Sequence, residues 1–149
     1  MSKVVSGAIA GLAATGTMTV VILAGKAAGL LHTPPPKEIT HRAEKSAGGR
    51  PEQQSQETFR LSWLAAHAAF GSAGGIGFAF LRGLLPGSPV LAGAAYGLAV
   101  WASNYLGVLP ALGLYPDPEQ DRNSRSLVMV GAHLVYGVTL AYTEDRLDG

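Results

Sequence analysis

Apolar residues run along this chain in four long blocks separated by short polar stretches. None of the 21 Lys, Arg, Asp and Glu residues falls within Val4–Gly25, Leu61–Leu81, Val90–Leu114 or Leu127–Thr143, blocks of 22, 21, 25 and 17 residues. A soluble amphipathic helix shows a polar stripe on every turn, and these blocks offer none. A helix rises 1.5 Å per residue and needs roughly 20 residues to cross the ~30 Å hydrocarbon core of a bilayer. The pattern therefore predicts an all-α, four-helix transmembrane bundle with helices at about 4–31, 61–85, 90–114 and 124–143. The fourth block is short and must borrow polar residues at its ends.

The connections follow from punctuation. "HTPPP" at 32–36 sets an end to the first helix, because proline removes a donor and clashes with the preceding turn. In the loop 32–60, "KEITHRAEK" (37–45) suits a short surface helix with Glu38 and Arg42 four residues apart, and "SAGGRPEQQSQ" (46–56) reads as a flexible linker. In "PGSP" (86–89), Ser88 is placed to cap the third helix, with Pro89 at its first position. Pro110 predicts a kink or an early end to that helix. Lys3 followed by an apolar run resembles a signal peptide, but the run exceeds the usual ~7–15 residues.

Two phrases occur twice. "GAIAGLA" (7–13) matches "GAAYGLA" (93–99), and "AHAAFG" (66–71) matches "AHLVYG" (132–137), in the same order. The chain thus reads as one membrane domain with an internal repeat, 4–85 and 90–143, two helical hairpins of the same orientation related by a pseudo-two-fold axis along the membrane normal. His67 and His133 each lie six residues into their blocks, so both sit roughly 9 Å along parallel helices. Eight Lys and Arg residues flank the side of the two long loops and three the other. The positive-inside rule then puts the loop 32–60 in the cytoplasm and both termini outside.

With 14% charged residues and a net charge of +1, the chain has no basic stripe for nucleic acid. The absence of cysteine excludes disulfides, thiolate zinc and cysteine-bound iron–sulfur clusters. P-loop, GxSxG and HExxH motifs are missing, so the common nucleotide and hydrolase chemistries have no signature and no catalytic residue is assigned. Asp117, Glu119 and Asp121 alternate without the spacing of a calcium loop, and no metal is expected.

The segments "PPPKEIT" (34–40), "AYGLAVWASNYLGVLPALGL" (95–114), "RN" (122–123) and "AHLVYGVTLA" (132–141) resemble the YagU-like family of uncharacterised bacterial multi-span inner-membrane proteins. That resemblance implies a small helical protein of the bacterial cytoplasmic membrane. It carries no established reaction to transfer.

Ionisable groups within lipid are rare and tend to face the interior or a wet cavity, which makes His67 and His133 the leading candidates for a site. A pair at equal depth suits proton sharing in a small-solute transporter or channel, or axial ligation of haem b. In the plainer reading each imidazole bonds a neighbouring helix and fixes packing. Thr15, Thr19, Asn104 and Tyr105 complete a candidate polar cluster. The glycine pairs Gly7/Gly11, Gly71/Gly75 and Gly93/Gly97 have small-xxx-small spacing, suited to close helix packing or to joining two copies. Trp63 reads as an interfacial belt residue. Because the motifs are packing motifs, the reading ranked first is a non-enzymatic accessory or structural membrane subunit in contact with lipid, as a homo-oligomer or with a membrane-protein partner. Transport and haem-based electron transfer follow.

Overall fold

A computed structural model describes residues 1–85, 87–116 and 121–148, the side chain of Asp148 excepted. Every regular element among them is helical. There are five main helices: α1 (Lys3–Ala27), α2 (Pro35–Ser46), α3 (Gln56–Leu81), α4 (Pro89–Ser103) and α5 (Asn123–Asp148). A π-turn, Asn104–Val108, and a last α-turn, Leu109–Ala111, extend α4. The runs Lys3–Ala27, Gln56–Leu84 and Asn123–Leu147 are long and apolar enough to cross a membrane.

Helix ends are set by local chemistry more than by where the apolar blocks stop. α1 closes at Ala27, short of the expected 31, because Gly29 takes a left-handed conformation at φ 75°. The Leu30 N–H then reaches back to the Gly25 carbonyl, the 6→1 bond of a Schellman motif. α3 starts at Gln56 rather than 61, since Ser55 Oγ accepts from the Thr58 N–H at 3.1 Å. Ser88 caps α4 as its position implies, accepting from the Leu91 N–H. α5 runs five residues beyond the expected 143, because charge halts hydropathy without halting a helix. The expected surface helix is α2, with Glu38 and Arg42 paired at 3.0 Å. The segment read as a flexible linker folds back through a 3-10 turn at Pro51–Gln53, and Gln54 donates to Glu44. Pro86 of "PGSP", and Asp117 and Glu119, lie outside the described residues.

The helix expected over 90–114 is not uniform. Pro110 has no N–H to return to the preceding turn. Ser103 Oγ and Asn104 Nδ2 donate to the carbonyls of Ala99 and Val100, at 2.7 and 2.8 Å. The ladder widens there into i→i+5 spacing, with the Leu109 N–H on the Asn104 carbonyl.

α3 packs on α1, α1 on α5, and α5 on α4, each pair antiparallel. Glycine lets the backbones meet. A Cβ on Gly7 would stand 2.7 Å from the Gly75 carbonyl oxygen and 3.0 Å from the Ala79 Cβ. On the other pair, a Cβ on Gly93 would meet the Gly137 carbonyl and, at 2.7 Å, the Ala141 Cβ. The small-xxx-small faces are thus turned onto their own chain. Ala10, Ala14, Met18, Ile22, Phe78, Ala132 and Leu140 fill the core around α1 and α5. Outward, the helices present Leu12, Val20, Phe80, Leu91 and Leu127, all exposed. Trp63 is buried instead of lying in an exposed belt; α3, which carries it, is covered in part by α2.

Candidate functional site

One seam of the bundle stays open. α1 and α5 close tightly, but α3 and α4 stand apart, and a cavity of about 560 Å³ lies between them. Tyr136 lines it, and Tyr96 lies just outside the lining. The Tyr136 hydroxyl donates to the Gly71 carbonyl at 2.7 Å, and the Tyr96 hydroxyl donates to the Gly74 carbonyl at 2.6 Å. Its roof is α2, which lays Pro35, Pro36, Ile39, Thr40 and Ala43 on the cavity. These recur at helical three- and four-residue spacing, so one face of a polar helix is an apolar lid. Glu44, on the same face, accepts from Ser62 of α3.

His67 and His133 both line this cavity, as do Thr15, Asn104 and Tyr105. Thr19 does not: its hydroxyl is returned to the Thr15 carbonyl at 2.7 Å. Thr15 reaches the wall but donates to Gly11, and Asn104 is held by Val100, so neither amide nor hydroxyl is wholly free. His133 does not bond a neighbouring helix. Its Nδ1 faces the Met129 carbonyl of its own helix at 2.8 Å, so Nδ1–H donates and Nε2 is the ring's free nitrogen.

Neither Trp101 nor Tyr115 was singled out from the sequence, yet both line the cavity. Trp101 stacks on Tyr105 with ring centroids 5.2 Å apart, and Tyr105 leans on Tyr115 at 6.1 Å. The Tyr105 hydroxyl donates to Asp121 at 2.9 Å and accepts from Ser126 at 2.7 Å. Tyr115, in the loop after α4, carries the Arg125 guanidinium over its ring at 5.1 Å. Burial pushes its phenol up from the usual range, so it is a neutral donor at any physiological pH. The four-residue spacing of Trp101 and Tyr105 was a legible signal; the arrival of Tyr115 depends on how the chain turns after Pro110.

Among the described residues, three buried side-chain polar atoms have no hydrogen-bond partner: His67 Nε2, Trp101 Nε1 and the Tyr115 hydroxyl. All three belong to residues of this one cavity wall. Each such orphan costs on the order of 1–3 kcal/mol. No group of three or more His, Cys, Asp or Glu that could hold a metal occurs among the described residues.

No curated protein and no solved structure matches the chain. A family model matches residues 1–149, and it brings no link to the YagU-like group. The cavity, with its lid and its unpaired donors, is therefore a feature of a protein that belongs to a family of unknown function, DUF6789.

Proposed function

We propose that this chain is a small integral membrane protein that binds, between α3 and α4, an apolar molecule carrying hydrogen-bond-accepting oxygens. The observation that carries this reading is that the three side chains with an unpartnered buried polar atom all line one apolar cavity. Indole N–H is a donor only, and a neutral phenol beside it has a proton to give. An acceptor oxygen on an otherwise apolar body answers both, and His67 Nε2 donates to it in the Nε2–H tautomer. Phe70, 57% exposed on the cavity rim, leaves an apolar approach from the lipid side.

The membrane layout is part of the same reading. With α4 and its extensions, 89–111 forms an unbroken helical run roughly 33 Å long, enough for a fourth span. The charge asymmetry of the loops puts α2 on the cytoplasmic side of a bacterial cytoplasmic membrane. The duplicated-hairpin reading is supported by the glycine crossings, which use matching faces in α1/α3 and α4/α5 with a one-turn difference in register. The YagU-like resemblance remains a proposal that rests on the sequence segments alone. An accessory or carrier role fits a binding protein of this design; the glycine faces, spent on the chain's own helices, no longer argue for a homo-oligomer.

The test is a matched pair of compounds. Benzophenone and diphenylmethane share size and rings, and only the first has a carbonyl. In the detergent-purified protein, benzophenone should bind about tenfold tighter, a difference near 1.4 kcal/mol. Trp101→Phe and Tyr115→Phe should erase that preference. Equal binding of both compounds to the wild type sinks the reading.

A second reading has one observation of its own. His133, with Nδ1 tied to a backbone carbonyl, has the outer hydrogen bond typical of a metal-bound imidazole, and His67 Nε2 is unpaired. Haem b supplied during expression should then give a Soret band lost in His67→Ala and in His133→Ala. A colourless preparation removes it.

A further inference from the structure

The opposite face of α2 lines a second cleft, of about 440 Å³, which the apolar cavity does not share. Where Pro36, Ile39, Thr40 and Ala43 look into the bundle, Lys37, Glu38, His41 and Arg42 look away from it, and Arg125 of α5 and Phe59 of α3 complete the walls. We infer that this cleft binds the phosphate of an anionic membrane lipid.

The charges are arranged for an anion. Glu38 accepts from Arg42 at 3.0 Å and from Arg125 at 3.2 Å. One carboxylate thus holds two guanidinium groups in place without using up their five donors each. Asp121 takes the Arg125 Nε at 2.5 Å and leaves its second terminal nitrogen unassigned. Among the described residues no carboxylate lies within salt-bridge distance of Lys37; its ammonium stands 5.8 Å over the Phe59 ring. His41 meets the same ring edge-on at 5.8 Å. Arg122, bonded to His32 of the cleft at 2.6 Å, adds a fourth cation beside it. Among the described residues, cations outnumber carboxylates there even with Asp121 counted. Two forks and a point charge around one cleft match the oxygens of a phosphate.

Height along the helices selects the source of that phosphate. Phe59 precedes the exposed Leu61 by two residues on α3, and Arg125 precedes Leu127, 71% exposed, by two residues on α5. The apolar exterior therefore begins about 3 Å along each helix from the cleft. A phosphate seated there is at headgroup depth, with acyl chains free to follow the exposed leucines. Basic residues at that level are worth about 1 kcal/mol each toward anionic lipid.

The inference rests on the membrane reading but not on the cavity ligand. Release of the protein from membranes by carbonate without detergent sinks both, whereas the following test sinks only this one. The full chain is purified in mild detergent and titrated with phosphatidylglycerol or with phosphatidylcholine of the same acyl chains. Retained lipid is read by native mass spectrometry. Phosphatidylglycerol should be kept about tenfold more strongly. Lys37→Glu and Arg42→Gln should each reduce that preference at least threefold with the helical circular dichroism unchanged, and Lys37→Arg should preserve it. Equal retention of the two lipids overturns the inference, as does a preference indifferent to Lys37→Glu. Displacement of the lipid by millimolar inorganic phosphate also overturns it, in favour of a soluble phosphate ligand.

Discussion

The Tyr136 hydroxyl reaches across from α5 to the Gly71 carbonyl of α3, at 2.7 Å. One helical turn along, Tyr96 of α4 does the same to Gly74. α3 touches α5 little otherwise, so these two phenols tie α3 to the α4 and α5 side of the bundle. The Tyr136 bond is buried and the Tyr96 bond partly so. Tyr136→Phe should cost about 1 kcal/mol of stability in SDS unfolding of the detergent-solubilised protein. The pair Tyr96→Phe/Tyr136→Phe should cost more than the sum, because losing both frees α3 to drift. A strictly additive pair would mean that α3 is held by its packing on α1 alone.

Glycine substitutions should separate crossing points from bystanders. A Cβ on Gly11 would fall on the Gly71 carbonyl and lie 2.9 Å from the Ser72 Cα, whereas one on Gly16 would meet nothing within 4 Å. Gly16→Ala should be neutral or stabilising by up to about 1 kcal/mol, through helix propensity. Gly11→Ala should destabilise by about 1–3 kcal/mol, since backbone must move to admit the methyl. Thermal melts of the two variants in one detergent give the comparison directly; equal melts would mean that α1 and α3 slide apart at no cost.

The same glycines show how far the sequence could be read. Charge-free blocks announced α1, α3 and α5, because exclusion of charge follows from burial in protein or lipid. The blocks missed helix ends that depend on single residues, the Ser55 cap and the left-handed Gly29. His67 and His133 stood out by scarcity, and spacing placed them at similar depth. Which helix seam stays open was not legible: hairpin symmetry treats α1/α5 and α3/α4 alike, and the structure closes one and opens the other. Trp101 and Tyr115 acquired their place only through that asymmetry. α2 announced itself by its Glu38–Arg42 spacing, but its role as lid requires the loop to fold back over α3.

Arg125 fastens the lid. Its guanidinium bonds Glu38 of α2 and Asp121 at the foot of α5, and covers the Tyr115 ring. At 19% side-chain exposure it is shielded enough for the pairs to outlast moderate salt. Arg125→Ala should release α2 while the long helices stay folded. Trypsin cleavage at Lys45 should then quicken about tenfold with little change in helical circular dichroism. Arg125→Lys should restore little, because an ammonium cannot hold two carboxylates and stack on a ring in one geometry. Cleavage rates equal to wild type would mean that α2 is held by Ser62 and Glu44 instead.

The π-turn at Asn104–Val108 offers the sharpest separation of stability from binding. It exists where Pro110 withholds an N–H and where Ser103 and Asn104 side chains occupy carbonyls of the preceding turn. Proline inside a helix costs about 3 kcal/mol relative to alanine, so Pro110→Ala should leave the protein as stable or more so. Restoring the donor favours ordinary i→i+4 spacing, and closing a π-turn removes one residue's worth of phase, about 100° of rotation. Everything after the turn then rotates against everything before it. Trp101 lies before the turn and Tyr115 beyond it, so the two side chains would lose their shared place on the cavity wall. The expected outcome is a melting temperature equal to or above wild type together with loss of the benzophenone preference over diphenylmethane. A variant that is both more stable and equally selective would mean that the π-turn merely accommodates the proline and does not align the site.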